Sequence, residues 1–375
     1  MEYKKISELT AVVTGGTPST NVAEYWDTGD IPWLQSGCCQ NCDVDSAEKF
    51  ITQSGYENSS TKMMPPDTVM IALTGATAGK IGYLKFSACG NQSITGILPS
   101  DALDQRYLFY YLMSKRIQIL SDCIGGAQPH ISQGYVKDIL IPVLPIEEQK
   151  KIALILTNVD GLIVSRQQQL SKLDDLVKSR FTELFGDVNN EETLANLCTF
   201  IDYRGKTPEK TDSGLPFITA KNVKMHYMSF DTQEFISKET YDKVMTRGFP
   251  KVGDVVFTTE APLGNVCRIP YIATEFYIGQ RIITMQTNCL EPAYLEYALA
   301  SDDFKRKIAE KSSGSTVTGI RSKLLEQLTI PVPPLELQHQ FAAFVEQVDK
   351  SKSAVKKSLE KLETLKKSLM QQYFG

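Results

Sequence analysis

The chain has 375 residues, of which 42% are hydrophobic and 22% charged, with 40 Lys+Arg against 44 Asp+Glu and a formal net charge of −4. This composition excludes a disordered or collagen-like chain, and the near balance of charge excludes a polycation, so any nucleic-acid contact must come from local basic surfaces and shape. At roughly 150 residues per domain the length predicts two or three domains, and no run of 18 apolar residues is present to cross a membrane.

Taken in chain order, the opening MEYKKISEL is polar and lacks the apolar stretch of a signal peptide, so a cytoplasmic protein is expected. A first strand is expected to lead into Gly15-Gly16-Thr17-Pro18-Ser19, where glycine permits close backbone approach. Cys39 and Cys42 form a CxxC. No second CxxC is present further along, and His130, His226 and His339 lie far off, so the four ligands of a zinc site do not assemble from the sequence. Reduced thiols and no metal are expected.

The run DTVMIALTG (67–75) is strand-like and ends in Gly75-Ala76-Thr77-Ala78-Gly79-Lys80. That segment resembles a phosphate loop but has three residues between its glycines instead of four, and Ile81 comes after the lysine, so no nucleotide site is expected. Residues 107–120 read as a helix, and GGAQPHIS (125–132) as a second glycine loop. IPVLPIEEQ (141–149) then opens a long helix, with Pro145 near its first turn and Glu147 at its positive end. Ile152, Ile155, Val159, Leu162, Leu173 and Leu176 continue at coiled-coil spacing, interrupted at Arg166.

The same order then recurs. GKTPE (205–209) faces GGTPS, GDVVFTTEA (253–261) faces the strand-like run, EPAYLEYAL (291–299) faces DQRYLFYYL (104–112), and SGSTVTGI (313–320) faces GGAQPHIS. Residues 294–309 read as a helix. Residues 141–186 and 330–375 align without a gap, with identities that include Pro142/Pro331, Glu147/Glu336, Gln149/Gln338, Asp160/Asp349, Phe185/Phe374 and Gly186/Gly375. In the second copy Phe341, Phe344, Val348, Val355, Leu362, Leu365 and Leu369 carry the apolar spacing, interrupted at Ser351.

Two copies of one unit predict an α+β fold with a pseudo-two-fold internal repeat. Two domains of mixed α/β character, 1–145 and 187–334, are each succeeded by a helix, over 146–186 and 335–375. Helices of about 36 residues are roughly 54 Å long, too long to bury against one small domain. The expected solution is an antiparallel two-helix coiled coil separating the domains; the alternative is two amphipathic helices, each packed on its own domain. No catalytic residues are expected: no GxGxxG comes after a strand, the histidines are scattered, and Met64-Pro65-Pro66-Asp67 lacks the aromatic of an amino-methyltransferase tetrad.

IPVLPIEEQ and IPVPPLELQ, each before a long helix and separated by a variable domain, resemble the specificity subunit of type I restriction-modification systems. GGTPS, TGATAGKIG, NQSIT (91–95) and GGAQPHIS are similar to landmarks of that family's target recognition domains, and the second copy departs from them at Glu260–Asn265 and Gly279-Gln280-Arg281. The resemblance implies a non-catalytic subunit that reads a bipartite double-stranded DNA site, one half-site per domain. It also implies docking of two methyltransferase subunits and, through them, of restriction and translocase subunits. S-adenosylmethionine, ATP and Mg are then expected on those partners only. The candidate DNA contacts come from polar loops at equivalent places. They are Thr17, Thr74, Thr77, Lys80, Gln92, Gln128 and His130 in the first copy, and Lys206, Thr207, Asn265, Gln280, Arg281, Ser315 and Thr316 in the second. A self-contained DNA methyltransferase or nuclease is the alternative function, and a scaffold that binds only protein is a third.

Overall fold

The structure is a computed structural model that describes residues 2–122, 130–203, 207–279, 281–312 and 319–375. It divides into two compact units: residues 1–167 with 357–375, and residues 168–356. Both boundaries fall inside the long helices, so each unit contains part of both.

In unit 1 the polar strand Glu2–Lys5 pairs antiparallel with Leu140–Val143, setting Tyr3 beside Pro142. The strand before GGTPS, Val12–Thr14, is therefore the second in the chain and not the first as expected; EYKK carries no apolar alternation and gives no strand signal by itself. A five-stranded sheet runs in the order Val12–Thr14, Ile94–Ile97, Val69–Ala72, Ile81–Leu84, Cys42–Val44. Its last pair is parallel. The strands Val69–Ala72 and Ile81–Leu84 are buried throughout, as continuous apolar runs covered on both faces should be. A three-stranded sheet, Lys49–Ile51, Ile31–Leu34, Cys89–Gly90, is interleaved with it in sequence. The helix Gln105–Ser114 starts at Asp104, whose carboxylate accepts from the Tyr107 N–H at 2.8 Å, a side-chain cap for an otherwise unpaired donor. Its Tyr107, Leu108, Tyr111 and Leu112 pack with Val69, Ile71 and Ile97, with Ile152 and Leu156 of the first long helix, and with Phe374 of the second.

Unit 2 repeats these elements. Glu191–Thr193 pairs with Thr329–Pro331. A four-stranded sheet runs Thr199–Asp202, Ile282–Gln286, Val255–Thr259, Leu263–Arg268, and a three-stranded one runs Phe235–Ile236, Leu215–Ile218, Tyr277–Ile278. Where unit 1 adds a parallel edge strand, unit 2 places the hairpin Val223–Lys224/Tyr227–Met228, tied to the sheet by the His226 N–H donating to the Val266 carbonyl at 2.8 Å.

The two predicted domain helices are each broken in two: Gln105–Ser114 and Arg116–Ser121 in unit 1, Pro292–Ala300 and Asp302–Lys311 in unit 2. In unit 2 the break has a visible cause. The Ser301 hydroxyl accepts from the Phe304 N–H at 3.2 Å and caps the second helix, the competition with helix continuation that serine side chains offer.

The long helices span Ile146–Phe185 and Leu335–Phe374, 40 residues each, or roughly 60 Å. In unit 2 Asp174 pairs with Lys352 at 2.5 Å, while Phe181 and Phe185, further along the first helix, meet Phe341, earlier on the second, at ring distances of 5.5 Å. In unit 1 Asp160 pairs with Lys366 at 2.5 Å, and Phe374 shares a core with Ile152 and Leu156. The pairing is antiparallel within each unit, and the helix ends are not confined to the domain that precedes them in sequence. Phe374 lies 5.4 Å from Tyr107, and Phe185 lies 4.8 Å from Tyr294. The same two tyrosines donate their hydroxyls to the Pro142 and Pro331 carbonyls at 3.3 and 2.6 Å.

Candidate nucleic-acid interface

In unit 1 the site grows from the turn between Val69–Ala72 and Ile81–Leu84. Gly75 and Gly79 have φ of +73° and +70°, a region that glycine enters without strain. The turn closes on itself, Ala78 N–H to the Gly75 carbonyl at 3.0 Å and Lys80 N–H to the Thr77 carbonyl at 2.9 Å. This is a tight hairpin connection. Residue 130 is drawn to it by a bridge between Thr74 and His130, and next to it Ile131 N–H donates to the Leu73 carbonyl at 2.8 Å.

The glycine loop at 15–16 reaches the same rim. Gly16 N–H donates to the Gly90 carbonyl at 2.8 Å. A Cβ on Gly15 would sit 2.1 Å from that carbonyl oxygen, so the close approach requires glycine. The Thr17 hydroxyl then donates to Gln92, and Thr74 Oγ1 lies 2.9 Å from Ser93 Oγ. Thr17, Thr74, Thr77, Gln92 and His130 are thus gathered in one neighbourhood, with Thr17, Gln92 and His130 exposed. Lys80 leaves the far arm of the turn and donates to Gln40 Oε1 at 2.5 Å. Gln128 lies outside the described residues.

Unit 2 builds the corresponding rim on the same backbone bonds. Glu260 bridges Gly319, Ile320 N–H donates to the Thr259 carbonyl at 3.0 Å, and Thr259 N–H donates to the Arg281 carbonyl at 2.8 Å. The last bond matches Leu73 N–H to the Ser93 carbonyl, also 2.8 Å. Arg281 therefore stands where unit 1 has Ser93, and Glu260 where it has Thr74. The hydroxyl pair of unit 1 becomes an ion pair, Arg281 Nε to Glu260 Oε1 at 3.0 Å. Asn265 is turned to the protein: its amide donates to the Val223 carbonyl at 2.9 Å and ties the 223–228 hairpin to the sheet. Thr207 is exposed, while Lys206, Gln280, Ser315 and Thr316 lie outside the described residues.

Three rim residues were not among the sequence candidates: Gln40, Ser93 and Glu260. Ser93 lies within NQSIT and Glu260 opens the segment where the second copy departs from the first, so both carried a faint signal. Gln40 reaches Lys80 across the sheet and carried none.

The buried thiols of unit 2 are not poised as nucleophiles: burial pushes Cys198 and Cys267 up to about 12, which suppresses the reactive thiolate. Cys39 is pushed well up by its hydrogen bond to Cys38 and by burial, and the same bond lowers Cys38. Among the described residues no group of three or more His, Cys, Asp or Glu side chains could hold a metal ion, and no helix is long and apolar enough to cross a membrane.

Similarity to known proteins tracks the internal repeat. The family described as "Type I restriction modification DNA specificity domain" matches this chain twice, over residues 1–174 and 190–366. The chain is 23% identical to the type I restriction enzyme MjaIX specificity subunit of Methanocaldococcus jannaschii, over 92% of this chain and 86% of that protein. It is 24% identical to the MjaVIII specificity subunit of the same organism, over 98% and 91% of the two chains. The crystal structure of a type I restriction-modification S subunit from M. genitalium aligns over 100% of this chain and 96% of its own, with a TM-score of 0.62 and 17% identity, which shows a shared fold.

Proposed function

The chain belongs to the type I restriction-modification DNA specificity family, and from that premise we propose that it reads a bipartite double-stranded DNA site, one half-site per unit, for the catalytic subunits of its complex. The observation that carries this reading is the duplicated rim. The backbone bonds at 73–74/93/131 recur at 259–260/281/320, while the side chains on them differ. A constant frame bearing unlike polar groups is what reading two unlike half-sites requires. Base edges are distinguished by side-chain donors and acceptors, and backbone and Lys/Arg contacts to phosphate set the register.

Chemistry belongs to the partners. Two modification subunits dock where the repeat is strongest, along the long helices, and restriction and translocase subunits join through them. S-adenosylmethionine, ATP and Mg sit on those subunits, and this chain binds no cofactor. The assembly works in the cytoplasm, where its DNA is.

The test uses purified chain, alone and with its modification subunits, incubated with DNA and labelled S-adenosylmethionine. The chain alone transfers no methyl group and cuts no DNA, and the complex methylates one bipartite sequence. Methyl transfer or cleavage by the chain alone would establish the self-contained enzyme, and a complex that selects no DNA sequence would establish a protein scaffold.

A further inference from the structure

We infer that Arg281, held by Glu260, reads a guanine in the half-site of unit 2, at a position that unit 1 reads with the uncharged pair Thr74 and Ser93. The inference rests on the proposed function and names one recognition contact within it.

Three features of Arg281 carry it. Its backbone is fixed: φ is +67°, a left-handed conformation, and its carbonyl accepts from Thr259 N–H at 2.8 Å. Its side chain is about half exposed, at 52%. Its Nε is the guanidinium atom nearest the carboxylate of Glu260, 3.0 Å from Oε1. A guanidinium oriented through Nε presents a planar two-pronged donor, which matches the O6 and N7 acceptors of guanine in the major groove. Adenine offers a donor at N6 in the same place and fits it poorly.

The partner carboxylate also argues against a phosphate anchor. Glu260 neutralises the local charge and would repel a phosphate, whereas affinity for the DNA backbone grows with uncompensated cations. Glu260 is itself placed by its bridge to Gly319, so the pair is aimed by two strands and one loop. In unit 1 the hydroxyls of Thr74 and Ser93 lie 2.9 Å apart and each can donate or accept. They carry no charge and cannot make the two-pronged contact, so the two half-sites differ here.

The experiment compares complexes of the modification subunits with the wild-type chain, Arg281→Ala, Arg281→Lys and Glu260→Ala. It reads the methylated sequence and the salt dependence of DNA binding. Arg281→Ala is expected to relax one position, a guanine in the wild-type site, by about ten- to a hundredfold in discrimination. The other half-site stays unchanged. Arg281→Lys keeps the charge and loses the fork, so the same position relaxes; it answers the question even where the alanine complex fails to assemble. Glu260→Ala relaxes that position less. An unchanged methylated sequence in both Arg281 variants would overturn the inference. So would uniform weakening on all sequences with a salt slope smaller by about one, the mark of a phosphate contact. In either case the wild-type complex still selects a bipartite site, whereas a wild-type complex with no such site removes both this inference and the reading beneath it.

Discussion

Gln149 and Gln338, equivalent residues of the two copies, make the same two hydrogen bonds. Gln149 Oε1 accepts from Asp104 N–H at 2.9 Å and its Nε2 donates to the Leu144 carbonyl at 2.9 Å. Gln338 accepts from Glu291 N–H at 2.9 Å and donates to the Pro333 carbonyl at 2.8 Å. Asp104 and Glu291 are the N-cap residues of the two domain helices. Each glutamine, 1% exposed, thus fixes the first turn of a long helix to the start of a domain helix. Gln149→Leu and Gln338→Leu each leave a part-buried N–H without its acceptor and a carbonyl without its donor, that carbonyl part-buried at Leu144 and buried at Pro333. Each is expected to cost about 1–3 kcal/mol, read as a matching drop in the denaturant midpoint of the two variants.

Glu296 has no counterpart in unit 1, where Phe109 occupies the aligned position. It is 1% exposed, accepts from Arg268 Nε at 2.6 Å and pairs with His226 Nδ1 at 2.8 Å. Arg268 continues to Asp349 of the long helix at 3.3 Å. Glu296→Ala strips a half-buried guanidinium of its main partner. The expected loss is about 3 kcal/mol, the low end for a broken buried pair, because Asp349 remains. Thermal unfolding checks this, and methylome sequencing of the complex should show weakening confined to the half-site of unit 2.

The length of the long helices offers a separate handle on the DNA site. Four residues inserted after Gln169 lengthen the first helix by about 6 Å and rotate its C-terminal portion by roughly 40°. With a rise of about 3.4 Å per base pair, the gap between half-sites should grow by one or two base pairs while the half-sites stay the same. A matched insertion after Ser358, the repeat-equivalent position, should restore part of the lost activity. The readout is the methylated sequence; altered half-sites with an unchanged gap would refute a ruler.

Alanine at Lys80, Gln92 and Gln128 together should change the half-site read by unit 1 alone. Each true base contact costs about 1–3 kcal/mol and relaxes one position. Binding titrations on a panel of single-base variants measure this, and an unchanged site and affinity would remove these residues from the interface.

The repeat and the two helices were legible because their signals are local and dense. Pro142/Pro331, Gln149/Gln338 and Phe185/Phe374 survive as identities, and apolar residues every three to four positions mark a helix whatever surrounds it. The helix breaks after Ser114 and Ala300 were not legible, since residues on both sides favour helix. The Glu2–Lys5 strand owes its state to Leu140–Val143, more than a hundred residues away, and nothing within EYKK announces it. The Glu260–Arg281 pair was hidden for the same reason. The two residues meet only because Ile282–Gln286 lies beside Val255–Thr259 in the sheet, a neighbour relation that spacing along the chain does not encode.

The seat of Phe374 against Tyr107 and Tyr111, with Lys115 Nζ donating to the Phe374 carbonyl at 2.8 Å, sets an order of events on the ribosome. Unit 2 is drawn from one continuous stretch, 168–356, and already holds Phe185 when its sheets emerge. Unit 1 has most of its chain first yet receives residues 357–375 only after all of unit 2 has been translated. At about 5–20 residues per second that delay is on the order of 10–40 s. Through it the aromatic seat around Tyr107 stands open, and Tyr107, Leu108 and Tyr111 lack the side chain that closes their core. Unit 1 is therefore begun before unit 2 and completed after it, and the nascent chain is most exposed to misassembly at the face where residues 357–375 will land.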